Sequence, residues 1–206
     1  MNTPNVQNCL EIIQEQRHAF INHLQVISGY LQLNRAEDAK SYIDSVALEM
    51  AQFSQFSRIK CPELALSLLY VMSMGAKDGI KMELAVESGF AGCSALDSKI
   101  GQMVERLFVT LRESALFSGG AEKSLRITLH TQQEQYFCGF VFPAPNSAAL
   151  AALERGLADL DAQFRPYAVW QSRAPGTGFL EIALVFSGDG APVDPSNITQ
   201  VKHNVL

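Results

Sequence analysis

Two polar residues one helical turn apart, His18 and Asn22, are the side chains of this 206-residue sequence best suited to covalent chemistry. A neutral imidazole has a free lone pair on one ring nitrogen, and that lone pair can attack phosphorus as a nucleophile. Residues four apart share a helix face, so the Asn22 amide can donate a hydrogen bond to a group bound at His18. The pair predicts a histidine that accepts a phosphoryl group, although an exposed histidine does not establish this by itself.

Three more polar residues border the same face and are candidates for contact with a partner protein. Gln14 and Gln25 lie along the polar stripe, and Arg17 adds a positive charge beside His18. Phosphoryl transfer depends mainly on positioning and charge stabilisation, so a partner carrying Mg²⁺ in an acidic pocket could supply the remaining groups. His23 lies beside the apolar row of the helix, where we expect it to pack against another helix.

The elements that must position these residues are two amphipathic helices. The first has an apolar seam with alternating spacings of three and four, formed by Leu10, Ile13, Arg17, Phe20, Leu24, Ile27 and Leu31. The second seam is formed by Ala36, Ala39, Ile43, Val46, Met50 and Phe53. Because only the polar Asn34-Arg35 step separates the two, they predict an antiparallel hairpin.

A lone hairpin would leave both seams in water, at a cost of roughly 1.5–3 kcal/mol for each large apolar side chain. We therefore expect a homodimer in which two hairpins form a four-helix bundle. With Leu10 at heptad position a, His18 occupies position b and Asn22 position f, both facing water. Gly29, which costs about 1 kcal/mol in a helix relative to alanine, predicts a close approach of another helix.

The chain after residue 60 predicts an α+β sandwich with its helices on one face of a largely antiparallel sheet. The predicted elements, in the order αβαββαββ, are a helix over 63–77 that stops at Gly79, a strand over 80–86, a helix over 97–117 capped by Asp97, strands over 125–131 and 136–142, a helix over 146–163 capped by Asn146, and strands over 167–172 and 179–186. Turns are expected at Gly119-Gly120 and Pro175-Gly176. We divide the chain into domains over 1–58 and 59–190, with a loose tail over 191–206.

Composition excludes several classes of function. The net charge is −5 at pH 7, which gives no basic surface for nucleic acid. The four cysteines, Cys9, Cys61, Cys93 and Cys138, form no CxxC pair, so we expect buried thiols and no metal site. Neither a leader peptide nor a long apolar run is found, so we expect a soluble cytoplasmic protein without membrane insertion.

The run from Arg17 through His18, Asn22, Leu24-Gln25 and Gly29 to Leu33 resembles the phosphoacceptor helix of the sporulation phosphotransferase B type. It is similar, too, to the same helix of citrate/malate-type sensor histidine kinases. The resemblance implies that His18 is phosphorylated, that Asn22 supports it, and that the helix pairs into a dimeric bundle. The sequence departs from the family at Ala19, where an acidic residue normally assists proton removal during attack on ATP.

The segment from Cys61 onward is similar to the ATP-binding domain of those kinases in its order of elements. Within its Leu-x-x-Asn-Ala-like stretch the family places a Mg²⁺-binding asparagine, where this sequence has Ser114. No Asp-x-Gly-x-Gly run follows the strand over 136–142, and Gly176-Thr177-Gly178 is interpreted as a turn. We therefore expect a degenerate fold with no bound nucleotide or other cofactor, and we do not assign Glu113 to a site.

Three hypotheses follow from these patterns. The first is a phosphorelay phosphotransferase that passes phosphoryl groups between response-regulator receiver domains through His18. The second is an atypical sensor histidine kinase that uses ATP, and the third is a dimeric binding module without enzymatic activity. Ala19 and Ser114 oppose the second, whereas His18 with Asn22 opposes the third.

Overall fold

The N-terminal part of the molecule is a helical hairpin, as the two seams predict. The structure, a computed structural model, describes residues 6–87, 90, 97–114, 116–117, 123–132, 135–165, 167–176, 178–187 and 191–192. Helix α1 spans Val6–Gln32 and helix α2 spans Ala36–Phe53, followed directly by a 3-10 turn over Ser54–Arg58. The predicted Gly119-Gly120 turn, Cys93 and the tail beyond residue 192 lie outside the described residues.

A tight turn reverses the chain between the two helices. Asn34 has a φ of 52°, in the left-handed region that asparagine tolerates better than most residues. The amide of Arg35 donates to the carbonyl of Tyr30 at 2.9 Å, which satisfies one of the free carbonyls at the end of α1. The Arg35 side chain then pairs with Asp38 in the first turn of α2 at 2.7 Å. These local bonds fix where α1 ends and α2 begins.

The rest of the chain forms the predicted α+β sandwich. Its elements are α3 (Pro62–Lys77), β1 (Lys81–Val86), α4 (Asp97–Glu113), β2 (Ser124–Gln132), β3 (Gln135–Pro143), α5 (Ser147–Phe164), β4 (Ala168–Gly176) and β5 (Phe179–Ser187). Asn146 caps α5 as expected, since its side-chain oxygen accepts a hydrogen bond from the Ala149 amide at 2.9 Å. The predicted cap of Asp97 involves a side chain outside the described part.

Two predicted boundaries are wrong. Helix α4 ends at Glu113 instead of residue 117, and the hydroxyl of Ser114 donates to the Leu111 carbonyl at 2.8 Å. In a continued helix, that carbonyl oxygen would accept a hydrogen bond from a backbone amide of the next turn. The Ser114 hydroxyl therefore competes with continuation of the helix. Pro175 and Gly176 belong to β4 instead of forming a turn, which a strand at the sheet edge tolerates because its outer side forms no ladder bonds.

The five strands form one mixed sheet in the order β1-β2-β3-β5-β4. Strands β1 and β2 are parallel, with Lys81 opposite Ser124 and Val86 opposite Leu129, while the three other pairs are antiparallel. Helices α3, α4 and α5 pack on one face of this sheet. The largest fully buried side chains of that interface include Phe108, Phe140, Phe142, Phe186, Leu64 and Leu68.

Two of the cysteines belong to this core. Cys61 and Cys138 are buried, and burial raises the pKa of the Cys138 thiol well above its ordinary value. A thiol kept protonated is a poor nucleophile and a poor metal ligand, so Cys138 serves packing. None of the helices in the described part of the chain combines the length and apolarity needed to cross a bilayer.

Candidate functional site

The polar stripe predicted on α1 is exposed along its whole length. His18 and Asn22, together with Gln14, Arg17 and Gln25, are all exposed on this helix. A helix turns by about 100° per residue, so His18, Asn22 and Gln25 follow one another along a single face over two turns. The structure thus brings the five predicted residues onto one accessible strip of helix surface.

On one side of this strip lies the apolar seam of α1. Five of its six apolar residues are exposed, namely Leu10, Ile13, Phe20, Leu24 and Leu31, with Phe20 at 60%. On α2, Ile43 and Met50 are exposed as well. Much of the predicted seams is therefore uncovered within the described part of the chain, while Ala39 of the α2 seam is buried at 3%.

On the other side of the strip lies the packed face of α1, which the heptad assignment did not identify. It contains Ile12, which is buried at 4%, and the half-buried Ala19, His23 and Tyr30. The His23 Nδ1 atom lies 2.9 Å from the Tyr42 hydroxyl, and the Tyr30 and Tyr42 rings are 6.2 Å apart. His23 therefore packs between the helices, as predicted, and uses its ring nitrogen to hold α2.

Ala19 belongs to the packed side of α1 and not to the strip. It follows His18 by one residue, about 100° around the helix, and is half-buried. A methyl group at this position can neither accept a proton nor orient the imidazole. The acidic assistance that the family provides beside the histidine is therefore absent at position 19.

Gly29 does not have the neighbour that its presence in a helix predicted. A Cβ atom added at Gly29 would meet nothing within 4 Å among the described residues outside its own stretch of helix. The residue lies at heptad position f, on the same outward face as Asn22. The close approach of another helix expected here is therefore not found within the described part of the chain.

The strip has a charged neighbour that sequence reasoning missed. Glu15, one turn before His18, forms an ion pair with Lys77 through Oε1 and accepts a hydrogen bond from the Ser73 hydroxyl through Oε2. Ser73 and Lys77 belong to α3, so this contact joins the hairpin to the sandwich. The three-residue spacing from Glu15 to His18 is visible in the sequence, but its partners on α3 depend on tertiary packing.

In the region that resembles a nucleotide-binding domain, Ser114 occupies the position of the expected Mg²⁺-binding asparagine. Ser114 is buried at 4%, and its hydroxyl is already used by the Leu111 carbonyl. Beside it, a cavity of ≈ 280 Å³ separates α4 from α5, and its described lining holds one cation, Arg106, against Glu113 and Asp159. A triphosphate would meet a net negative surface there.

No metal centre is found in the described ranges, since no three His, Cys, Asp or Glu side chains come together there. A second cavity, of ≈ 470 Å³, lies at the ends of α3 and α4 and is bordered by the Asp78–Arg112 ion pair, 2.6 Å between Oδ2 and Nε. That pair already neutralises both charges. Thr177, part of the predicted glycine turn, lies outside the described residues, while Gly178 has a φ of 92°.

Comparison with known proteins shows what the hairpin is similar to. Residues 1–59 match the family model described as the SpoOB-type sensor kinase alpha-helical domain. The chain is 25% identical over 123 residues to sporulation initiation phosphotransferase B of Bacillus subtilis, a match that covers 59% of this chain and 62% of that protein. The match thus spans less than two thirds of that relative.

Two solved structures are similar in shape. Histidine kinase ThkA in complex with response regulator TrrA has a TM-score of 0.45 at 12% identity, covering 87% of this chain and 62% of that chain. A bacterial phosphotransferase has a TM-score of 0.39 at 14% identity, covering 89% of this chain and 98% of that chain.

Proposed function

From the premise that residues 1–59 form a SpoOB-type sensor-kinase alpha-helical domain, we propose that this chain is a phosphorelay histidine phosphotransferase. His18 would accept a phosphoryl group from one response-regulator receiver domain and pass it to another. The observation that carries the proposal is the exposure of His18 and Asn22 on the outward strip of the matched helix. The name of the Bacillus relative, a sporulation phosphotransferase, supports the same activity.

The geometry of the strip suits attack by the imidazole. His18 is exposed on a helix face between the apolar seam and the packed face, so a phosphorylated aspartate can reach its ring nitrogen. The nitrogen attacks phosphorus as the bond from phosphorus to the aspartyl oxygen breaks, and the aspartate leaves as a carboxylate. The second transfer reverses these steps on a new aspartate and returns a neutral imidazole.

The other groups on the strip would position the partner. Asn22 can donate a hydrogen bond to a phosphoryl oxygen, and Arg17 can offset part of its negative charge. Gln14 and Gln25 extend the contact by one to two turns on either side. We expect the Mg²⁺ ion that neutralises the transferring group to be held by the partner receiver domain in the cytoplasm.

The exposed seams support a dimer as part of this proposal. Leu10, Ile13, Phe20, Leu24 and Leu31 form an apolar row on α1 that only Arg17 interrupts, and a second copy of the hairpin presents the same row. Two-fold pairing of such rows gives a four-helix bundle and removes the apolar surface from water. His18 at heptad position b would stay outside the bundle and remain open to the receiver.

The kinase alternative has little support from the structure. Ala19 provides no base, and Ser114 has a buried hydroxyl that already donates to a backbone carbonyl. The cavity beside Ser114 has more acidic than basic residues in its described lining. We therefore propose that the sandwich over 59–190 has no nucleotide chemistry and serves as a scaffold for the hairpin over 1–58.

The experiment that tests the proposal is labelling by phosphorylated receiver domains, followed by detection of acid-labile phosphate. We expect the wild type to be labelled and His18→Gln to be unlabelled, because glutamine has no ring nitrogen that can attack phosphorus. Since His18 is exposed, His18→Gln should change the free energy of unfolding by less than ~0.5 kcal/mol. Incubation with ATP and Mg²⁺ alone should label neither protein.

Two variants serve as matched controls. His23→Gln removes the other histidine of α1 and the bond to Tyr42, yet should keep most of the labelling. Asn22→Ala should slow labelling without abolishing it, because it removes a positioning group and not the attacked atom. Equal labelling of the wild type and His18→Gln, or of neither, would favour the binding module instead.

A further inference from the structure

We propose that Lys77 is a positioning residue for phosphoryl transfer, since it neutralises Glu15 beside the phosphoacceptor. Without this compensation, the Glu15 carboxylate would repel each anionic phosphoryl group that approaches His18. The inference rests on the proposed role of His18. It gives the C-terminal sandwich an electrostatic part in a reaction that takes place on the hairpin.

The placement of the three charged or polar groups supports this role. Glu15 and His18 are three residues apart on one helix face, where Cβ atoms are typically about 5–6 Å apart. One carboxylate oxygen of Glu15 pairs with the Lys77 ammonium and the other accepts from the Ser73 hydroxyl. Each carboxylate oxygen of Glu15 therefore contacts a side chain of α3.

The titration of the pair is consistent with a full charge on each partner. Partial burial alone raises the pKa of the Glu15 carboxyl, but the hydrogen bonds from Lys77 and Ser73 outweigh it and leave the pKa below its usual value. The hydrogen bond to Glu15 raises the pKa of Lys77. Glu15 is thus ionised at neutral pH, so its negative charge needs a counter-ion.

The chemistry of the donor explains why this charge matters. A phosphoryl group carries negative charge on its oxygens before, during and after transfer, and unit charges a few ångströms apart interact appreciably near a protein surface. Glu11, one turn further from His18, adds a second exposed carboxylate that also interacts with Lys77. Removing Lys77 would therefore leave the negative charges of Glu15 and of Glu11, one turn further away, without this counter-ion near the phosphoacceptor.

The test compares labelling rates of His18 in four proteins: wild type, Lys77→Ala, Glu15→Gln and the double variant. We expect Lys77→Ala to be labelled about five-fold more slowly by a phosphorylated receiver, with a smaller difference in 0.5 M salt. Glu15→Gln and the double variant should match the wild type or exceed it, because neither has the carboxylate. Lys40→Ala, which removes an exposed cation from α2, is the control for net charge.

The same proteins are then labelled with phosphoramidate, a small anionic phosphoryl donor that requires no partner, and the same order of rates is expected. If every variant that breaks the pair is slow, Glu15→Gln included, the contact acts as a structural link and the inference is wrong. Equal rates in all four proteins would overturn it too. If receivers fail to label the wild type while phosphoramidate gives the expected order, the proposed partner is wrong and the role of Lys77 stands. A wild type that neither donor labels at His18 refutes both.

Discussion

In the hairpin, apolar residues such as Phe20, Leu24 and Leu31 remain exposed, and the buried hydrophobic residues among its described positions are Ile12 and Ala39. In the sandwich, helices and strands bury a continuous core with many side chains fully inaccessible, among them Phe108, Phe140 and Phe186. The sandwich thus buries its apolar surface within one chain, whereas much of the apolar surface of the hairpin stays exposed. This difference supports the proposal that a second copy of the hairpin covers the exposed seam.

Glycine residues show the same contrast. A Cβ atom at Gly139 in β3 would lie 2.7 Å from both the Glu181 Oε1 and the Thr128 Oγ1 atoms, inside a fully packed sheet. A Cβ atom at Gly29 in α1 would meet no described atom outside its own stretch of helix within 4 Å. Close packing therefore requires glycine at position 139, while no described neighbour requires it at position 29.

The largest effect is expected from a charge placed on the hairpin seam. Leu24→Glu should convert the dimer to a monomer, because each copy would bury a carboxylate at an apolar position of the seam. Light scattering should then give the mass of one chain, 22.6 kDa. Leu48→Glu, the same change at an exposed α2 position off the seam, should leave the dimer intact. A wild type that is already monomeric would contradict the bundle.

A smaller effect is expected from the crowded glycine of the sandwich. Gly139→Ala should lower the free energy of unfolding by about 1–3 kcal/mol, because the new methyl group must displace buried neighbours. Urea unfolding followed by tryptophan fluorescence measures the change. Gly75→Ala is the matched control, since its Cβ atom would meet the flexible Met82 side chain at 2.6 Å and should cost less. Equal losses of stability in the two variants would indicate that the side chains around Gly139 move aside as easily as the flexible Met82 side chain.

The smallest effect is expected from the open glycine of the hairpin. Gly29→Ala should raise the free energy of unfolding by up to about 1 kcal/mol, since alanine is the better helix former and has free space here. Thermal unfolding followed by circular dichroism of the dimer measures it. A loss of stability would show that the second hairpin packs against position 29.

Local sequence signals were sufficient to predict most of the fold. The heptads located α1 and α2, Asn146 marked the start of α5, and alternating residues located β2, β3 and β5. The α+β class is confirmed, and residues 1–59, which include the Arg17–Leu33 run, match the helical-domain model of the suspected family. Predictions failed where a tertiary position decided the outcome, as for Pro175, whose tolerance depends on β4 lying at the sheet edge.

The candidate site shows the same limit. His18 and its stripe could be selected from helical spacing, because all their relationships lie within one helix. The Glu15–Lys77 contact could not be selected, since it joins residues 62 positions apart through the packing of α1 on α3. The face by which α1 contacts α2 was missed for a similar reason, since the heptad seam and the His23–Tyr42 face are both compatible with a helix pair.

The two edges of the sheet limit how copies of this chain can aggregate. Strand β1 presents the charged Lys81 and Glu83, and β4 contains Pro175, which has no amide hydrogen, within an irregular stretch between Arg173 and Gly176. A strand of a neighbouring molecule could not form an uninterrupted row of hydrogen bonds with β4. At β1 it would lie beside charged side chains. Strand-by-strand growth into fibres is thereby opposed at both edges of the sheet, in a chain whose hairpin leaves large apolar side chains exposed.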